Sequence, residues 1–233
     1  MWPMVRFDVI GDAWRLYRRH PGIWLLAILI VLIGYSTVSN AVFALVGLDG
    51  PVVRGGFRLT LTPGAGALHY VITSVIGGFF VGGLIRMASN QIRGRAPRIE
   101  DLFSVMDVGL ELVLAATLYG AATFVGSMLC VIPGVIVSGL LMFAIPLVVI
   151  ARQPATAAIG RSWNVLLPQW LTATVFHFVL VLLSGSGFLL CCVGILFTAP
   201  LYSLSIAILY HEFFSASHEP TWKKRPIDPF PEF

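Results

Sequence analysis

The sequence predicts an all-α protein, a polytopic transmembrane helical bundle of six spans, and three observations predict it. Six apolar runs each approach the roughly 20 residues that a helix needs to cross a bilayer. Hydrophobic residues make up 58% of the 233 and charged residues only 11%, with mean hydropathy +0.89. A soluble domain carries about 25% charged residues, so these charges are too few to cover a water-facing surface. Finally, the basic residues sit in short clusters between the runs, which is how membrane topology is written in sequence.

Residues 4–19 come first. Phe7, Ile10, Trp14 and Tyr17 recur at helical spacing and predict one apolar face. Asp8 and Asp12 precede Arg15, Arg18 and Arg19, the order that the helix dipole favours. This reads as a helix lying on the membrane surface or packed beneath the bundle. Pro21-Gly22 breaks it, and span 1 follows over about 23–46 with Trp24 as its interface anchor. The loop 47–66 is the longest between spans, and its stretch 52–62 suggests a small hairpin.

Span 2 covers about 67–87 and contains Gly78 and Gly82 at the G-x-x-x-G spacing that lets a second helix approach closely. That partner is either another span of this chain or a second copy. The basic connector 88–108 holds Arg93, Arg95 and Arg98, and within it Ile99, Leu102, Phe103 and Met106 form a second apolar stripe. Span 3 follows over about 109–129. Cys130-Val131-Ile132 reads as a tight turn and Pro133 as the first helical residue of span 4, where its missing N–H costs nothing.

Span 4 runs to about 151, with Pro146 inside it as a predicted kink. Residues 152–168 form the third stripe, with Ala155, Ile159, Trp163 and Leu166 on one face. Trp170 opens span 5, which runs to about 183, and Ser184-Gly185-Ser186-Gly187 reads as a turn. Span 6 runs over about 188–214 with a second internal proline, Pro200. The expected division is one integral membrane domain over 1–214 and a disordered cytosolic tail over 215–233, whose Lys223-Lys224-Arg225 could touch anionic lipid.

With six spans and the N-terminus inside, only Arg54 and Arg58 of the fifteen Lys and Arg face out. By the positive-inside rule this puts both termini and all three amphipathic segments in the cytosol. All six tryptophans fall on the same side. Asp8 and Asp12 ahead of a long first apolar run speak against a cleaved signal peptide, although Ser39-Asn40-Ala41 loosely resembles a cleavage site. The chain also suggests an internal repeat. Ile10-Gly11-Asp12-Ala13-Trp14 matches Ile159-Gly160-Arg161-Ser162-Trp163 at three of five positions, which divides the chain into three units of one amphipathic helix and two spans.

The block from Ile132 to Trp170 runs IPGVIVSGLLMFAIPLVVI, then A-x-x-A-I-x-R-S-W, then a tryptophan opening the next span. It resembles the uncharacterised bacterial integral membrane proteins related to the membrane domain of glycerophosphoryl diester phosphodiesterases. The residues that carry the resemblance are Ile132, Pro133, Gly134, Ala155, Ala158, Arg161, Ser162 and Trp163; WRLYRRHPGIWLL near the start and AILYHEFF near the end also fit. The resemblance implies this fold and a bacterial inner-membrane location. It implies no activity, because the barrel that carries the chemistry in some relatives has no counterpart in these 233 residues.

Candidate site residues are few. His177 lies seven residues beyond Trp170, about 10 Å into the core at 1.5 Å per residue. An ionisable side chain at that depth is either functional or a neutral ring hydrogen-bonded to a neighbouring span. Glu111, near the inner end of span 3, is expected to pair with Arg86 or Arg161. His69 falls near the outer end of span 2, and Cys130 could meet Cys191 or Cys192 on the oxidising side. Pro133, Gly134, Pro146, Arg161, Trp163 and Pro200 read as an architectural signature.

Nucleic acid is not an expected partner, since the charge distribution is that of topology. No nucleophile, metal-ligand, phosphate-loop or paired-carboxylate motif is present, so neither an enzyme nor a cofactor is expected. The leading expectation is a non-enzymatic membrane module or scaffold contacting the lipid bilayer, another membrane protein or itself. The alternative is a small transporter or channel for an amphiphilic or lipid-like solute, with a midplane cavity between the proline-bearing spans and His177.

Overall fold

The computed structural model describes residues 4–46, 63–187 and 193–214, and its regular structure there is entirely helical. In chain order the helices are α1 (Asp8–Tyr17), α2 (Pro21–Val46), α3 (Pro63–Ile92), α4 (Glu100–Phe103), α5 (Gly109–Leu129), α6 (Val131–Leu140), α7 (Ala144–Val149), α8 (Ala155–Leu166), α9 (Trp170–Ser186) and α10 (Val193–Phe214). Short 3-10 turns at Ser104–Val108 and Leu167–Gln169 continue α4 and α8. Six stretches are long and apolar enough to cross a membrane, with α6 and α7 together forming the fourth. The hairpin read at 52–62, the start of the sixth span, Cys191 and Cys192 with their pairing to Cys130, and the tail 215–233 lie outside the described residues.

The two proline-bearing spans are the innermost. Buried residues make up 61% of the sixth span and 56% of the fourth, against 22% of the first. A proline frees a carbonyl four residues upstream, and in lipid only neighbouring protein can satisfy it. Pro200 stays within a continuous α10, whereas the fourth span opens at Leu141–Phe143, just ahead of Pro146, which becomes the third residue of α7. α10 packs on α1, α2, α3 and α9, while α3 packs on α2, α5 and α7.

Glycines set the closest contacts. A Cβ on Gly78 would lie 2.8 Å from Ala116 Cβ on α5, and one on Gly82 would meet Leu112 and Val149 at 3.2 Å. The G-x-x-x-G face is therefore filled by this chain's own α5 and α7, the first of the two partners considered. Cys130, in extended backbone, is the single residue joining α5 to α6. That hairpin closes because Gly134 has no side chain: a Cβ there would fall 2.2 Å from Ser127 Oγ. Pro133 is the third residue of α6 rather than the first, still within the turn whose N–H groups have no intrahelical acceptor. Likewise, residues 184–186 form the last turn of α9 rather than a loop.

The short helices bury part of the stripe that periodicity favoured, Tyr17, Leu102, Ala155 and Leu166, and turn its other large side chains outward. α1 buries Val9, Ala13, Leu16 and Tyr17, while Phe7 and Trp14 are exposed. α8 buries Ala155, Ala158, Ser162 and Leu166 and exposes Trp163. Between them, Leu102 and Val105 are buried while Phe103 and Met106 point out. Each segment carries two adjacent apolar stripes. The stripe with smaller side chains allows the closer backbone approach, and the bulky one is left outside. Trp24 shows the reverse: it is fully buried instead of anchoring an interface. Its indole nitrogen donates to Gln91 Oε1 at 2.8 Å, and Gln91 Nε2 donates to the Leu16 carbonyl at 2.8 Å, which ties α1, α2 and α3 together.

Candidate functional site

The chemistry-bearing side chains gather at the end of the bundle where α3 and α7 finish and α5 begins. α3 stops because Gly94 takes a left-handed backbone, φ 85°, that other residues adopt at a cost. The N–H of Gly94 then reaches the Gln91 carbonyl and the N–H of Arg95 the Asn90 carbonyl, each at 3.0 Å, the bonding pattern of a glycine-terminated helix. This turn leaves Arg93 and Arg95 beside Arg86, Ser89 and Asn90 of the last turns of α3.

These residues line one side of a polar cavity of about 420 Å³. Ser104 and Asp107 from the 3-10 turn before α5 form a second side, and Val149, Ile150 and Arg152 from the end of α7 the third. Asp107 organises it. Arg86 grips the carboxylate with both arms, at 2.6 Å to Oδ1 and 3.0 Å to Oδ2, and also donates to the Ser104 carbonyl. Arg152 reaches the same carboxylate at 2.6 Å. Ser89 Oγ shares a 2.9 Å hydrogen bond with His211 Nε2, which ties this end of α3 to α10.

Two further features distinguish this basin. Arg152 has φ 53°, the only positive φ at a non-glycine position among the described residues. An L-residue pays roughly 1–2 kcal/mol for that backbone, and such strain concentrates at functional positions. Secondly, Arg93 and Arg95 are exposed and have no carboxylate within ion-pair distance among the described residues. Four guanidinium groups against one carboxylate leave a formal charge of +3. The partial negative charge at the end of α3, about half a unit, does not offset it. The arrangement presents planar donors and serine and amide groups to an anion.

The residues singled out from sequence lie elsewhere. His177 is 4% exposed, edge-on to Tyr202 with ring centroids 5.9 Å apart, and its Nδ1 has no hydrogen-bond partner among the described residues. It lines neither this basin nor the second cavity, an apolar space of about 180 Å³ between α3, α5 and α10. Glu111 pairs with neither Arg86 nor Arg161. Its Oε2 accepts the N–H of Ala155 at 2.7 Å, which places a carboxylate on the first turn of α8, where the helix dipole favours it. Arg86 is committed to Asp107, and Arg161 lies over the Phe214 ring at 4.9 Å. His69 is half-buried near the start of the described α3 surface, and Cys130 is exposed.

The Arg-Ser-Trp segment does have a definite task. Ser162 Oγ donates to the Leu140 carbonyl at 2.7 Å and accepts the N–H of Phe143 at 3.2 Å. One hydroxyl thus bridges the break in the fourth span from both sides. The basin arginines were visible in the sequence, where they oriented the chain and Arg86 was a candidate partner for Glu111. Their convergence from positions 86, 93, 95 and 152 needs the fold. Neither family models, curated proteins nor solved structures give a match to this chain. The resemblance seen over Ile132–Trp170 rests on its residues alone.

Proposed function

We propose that this protein is a non-enzymatic module of the bacterial inner membrane, with both termini cytosolic, that contacts lipid through the arginine-bearing end of its bundle. The observation that carries this reading is the outward rim on the three short helices. Trp14 is 43% exposed, Phe103 46%, Met106 67% and Trp163 37%, and Arg15 and Arg161 lie on the same helices as the two tryptophans. Apolar side chains in the company of cationic ones are what a membrane–water interface accommodates. The signature shared with membrane domains attached to phosphodiesterases fits a supporting role, since its serine and glycine act on packing. Another membrane protein, or a second copy, remains a partner open to the same rim.

Bilayers containing acyl chains brominated near the headgroup test this. The wild-type protein should show tryptophan quenching that falls clearly in Trp14→Phe and Trp163→Phe. Quenching unchanged in both variants would remove the lipid-facing rim. Orientation is read separately in C191S/C192S cells, where an impermeant thiol reagent should label Cys130 from outside. The alternative, a transporter for an amphiphile, draws less support because His177 lines neither of these two cavities. It predicts solute flux in vesicles that His177→Ala abolishes.

A further inference from the structure

We propose that the basin lined by Arg86, Arg93, Arg95 and Arg152 is a specific site for the phosphate group of an anionic lipid headgroup. The inference rests on the lipid-facing reading of this end and adds a ligand class to it. Guanidinium groups match phosphate oxygens in pairs, and basic pockets between spans at the inner face suit such headgroups. Here two of the four arginines are pre-positioned by Asp107, Arg86 at both carboxylate oxygens and Arg152 at one. The other two, Arg93 and Arg95, carry no ion pair among the described residues and face the cavity from either side of Gly94. Ser89, Asn90 and Ser104 add neutral polar groups.

The geometry favours a lipid-borne phosphate over a soluble one. A single 3-10 turn supplies both the basin wall and the outward rim: Ser104 and Asp107 line the cavity, while Met106 between them is 67% exposed. A headgroup seated in the basin therefore borders the surface that faces acyl chains. Asp107 repels an anion, but its oxygens are already taken by Arg86 and Arg152.

The test is equilibrium binding of short-chain phosphatidic acid and phosphatidylcholine to the purified full chain in detergent. Wild type should prefer phosphatidic acid by about tenfold or more, the size expected from a single charge-assisted contact. R93A/R95A should abolish the preference, while R18A/R19A, which removes equal charge at the end of α1, should keep it. Because Arg93 and Arg95 are exposed and carry no ion pair among the described residues, an unchanged unfolding temperature is expected for R93A/R95A. No preference in wild type, or equal loss in both double variants, would overturn the site. Displacement by inorganic phosphate at the lipid's own concentration would overturn the lipid source and assign the basin to a soluble phosphate. Intact tryptophan quenching without phosphatidic acid selection would defeat this site and leave the lipid-facing module standing.

Discussion

The indole of Trp24 donates to Gln91 across 67 positions of sequence, with both side chains buried. Gln91 passes the connection to the Leu16 carbonyl, so one amide on α3 satisfies groups on two other helices. Trp24→Phe keeps most of the apolar volume and leaves Gln91 Oε1 without its donor. Loss of a buried partner costs about 1–3 kcal/mol. Tryptophan-independent unfolding, such as far-ultraviolet dichroism in detergent, should show the lower stability, and an unchanged midpoint would deny the relay any structural weight.

Ser162 bridges the break in the fourth span. Ser162→Ala deletes a donor to Leu140 and an acceptor for Phe143 in a fully buried place. We expect destabilisation of about 1–3 kcal/mol, the usual penalty for orphaned buried groups. Ser162→Thr retains the hydroxyl and should recover part of it. A neutral Ser162→Ala in denaturant titration would mean that the broken turn finds other partners.

Arg152 separates backbone from side-chain roles. Arg152→Ala and Arg152→Gly both remove the contact to Asp107, but only glycine relieves the left-handed backbone at φ 53°. Arg152→Gly should be the more stable of the two by about 1 kcal/mol. Equal unfolding midpoints would show that the strain is not stored there.

Gly78 in α3 and Gly160 in α8 should respond oppositely to alanine. Gly78→Ala places a methyl 2.8 Å from Ala116 Cβ and forces α3 from α5, at about 1–3 kcal/mol for overpacking. Gly160, in α8, has open space where a Cβ would go, so Gly160→Ala should stabilise by about 0.4–1 kcal/mol. Thermal unfolding of the pair in one detergent compares them directly.

Hydropathy and length determined the class of this protein and the place of its spans. Span 3, expected at about 109–129, is α5 (Gly109–Leu129), and Trp170 opens α9 as expected. Bilayer thickness demands that length, and lipid demands that backbone groups be paired within the helix, so the signal is local. What only the tertiary structure decided is which apolar surface faces protein and which faces outward. Lipid is as apolar as a protein core, so Val9 and Trp14, or Ala158 and Trp163, read alike in sequence. Packing chose the smaller side chains because they admit closer backbones. The same holds for charge. Position in the chain places the arginines in the connectors and span ends, but only the glycine-terminated end of α3, the turn at Asp107 and the strained Arg152 bring four of them around one cavity.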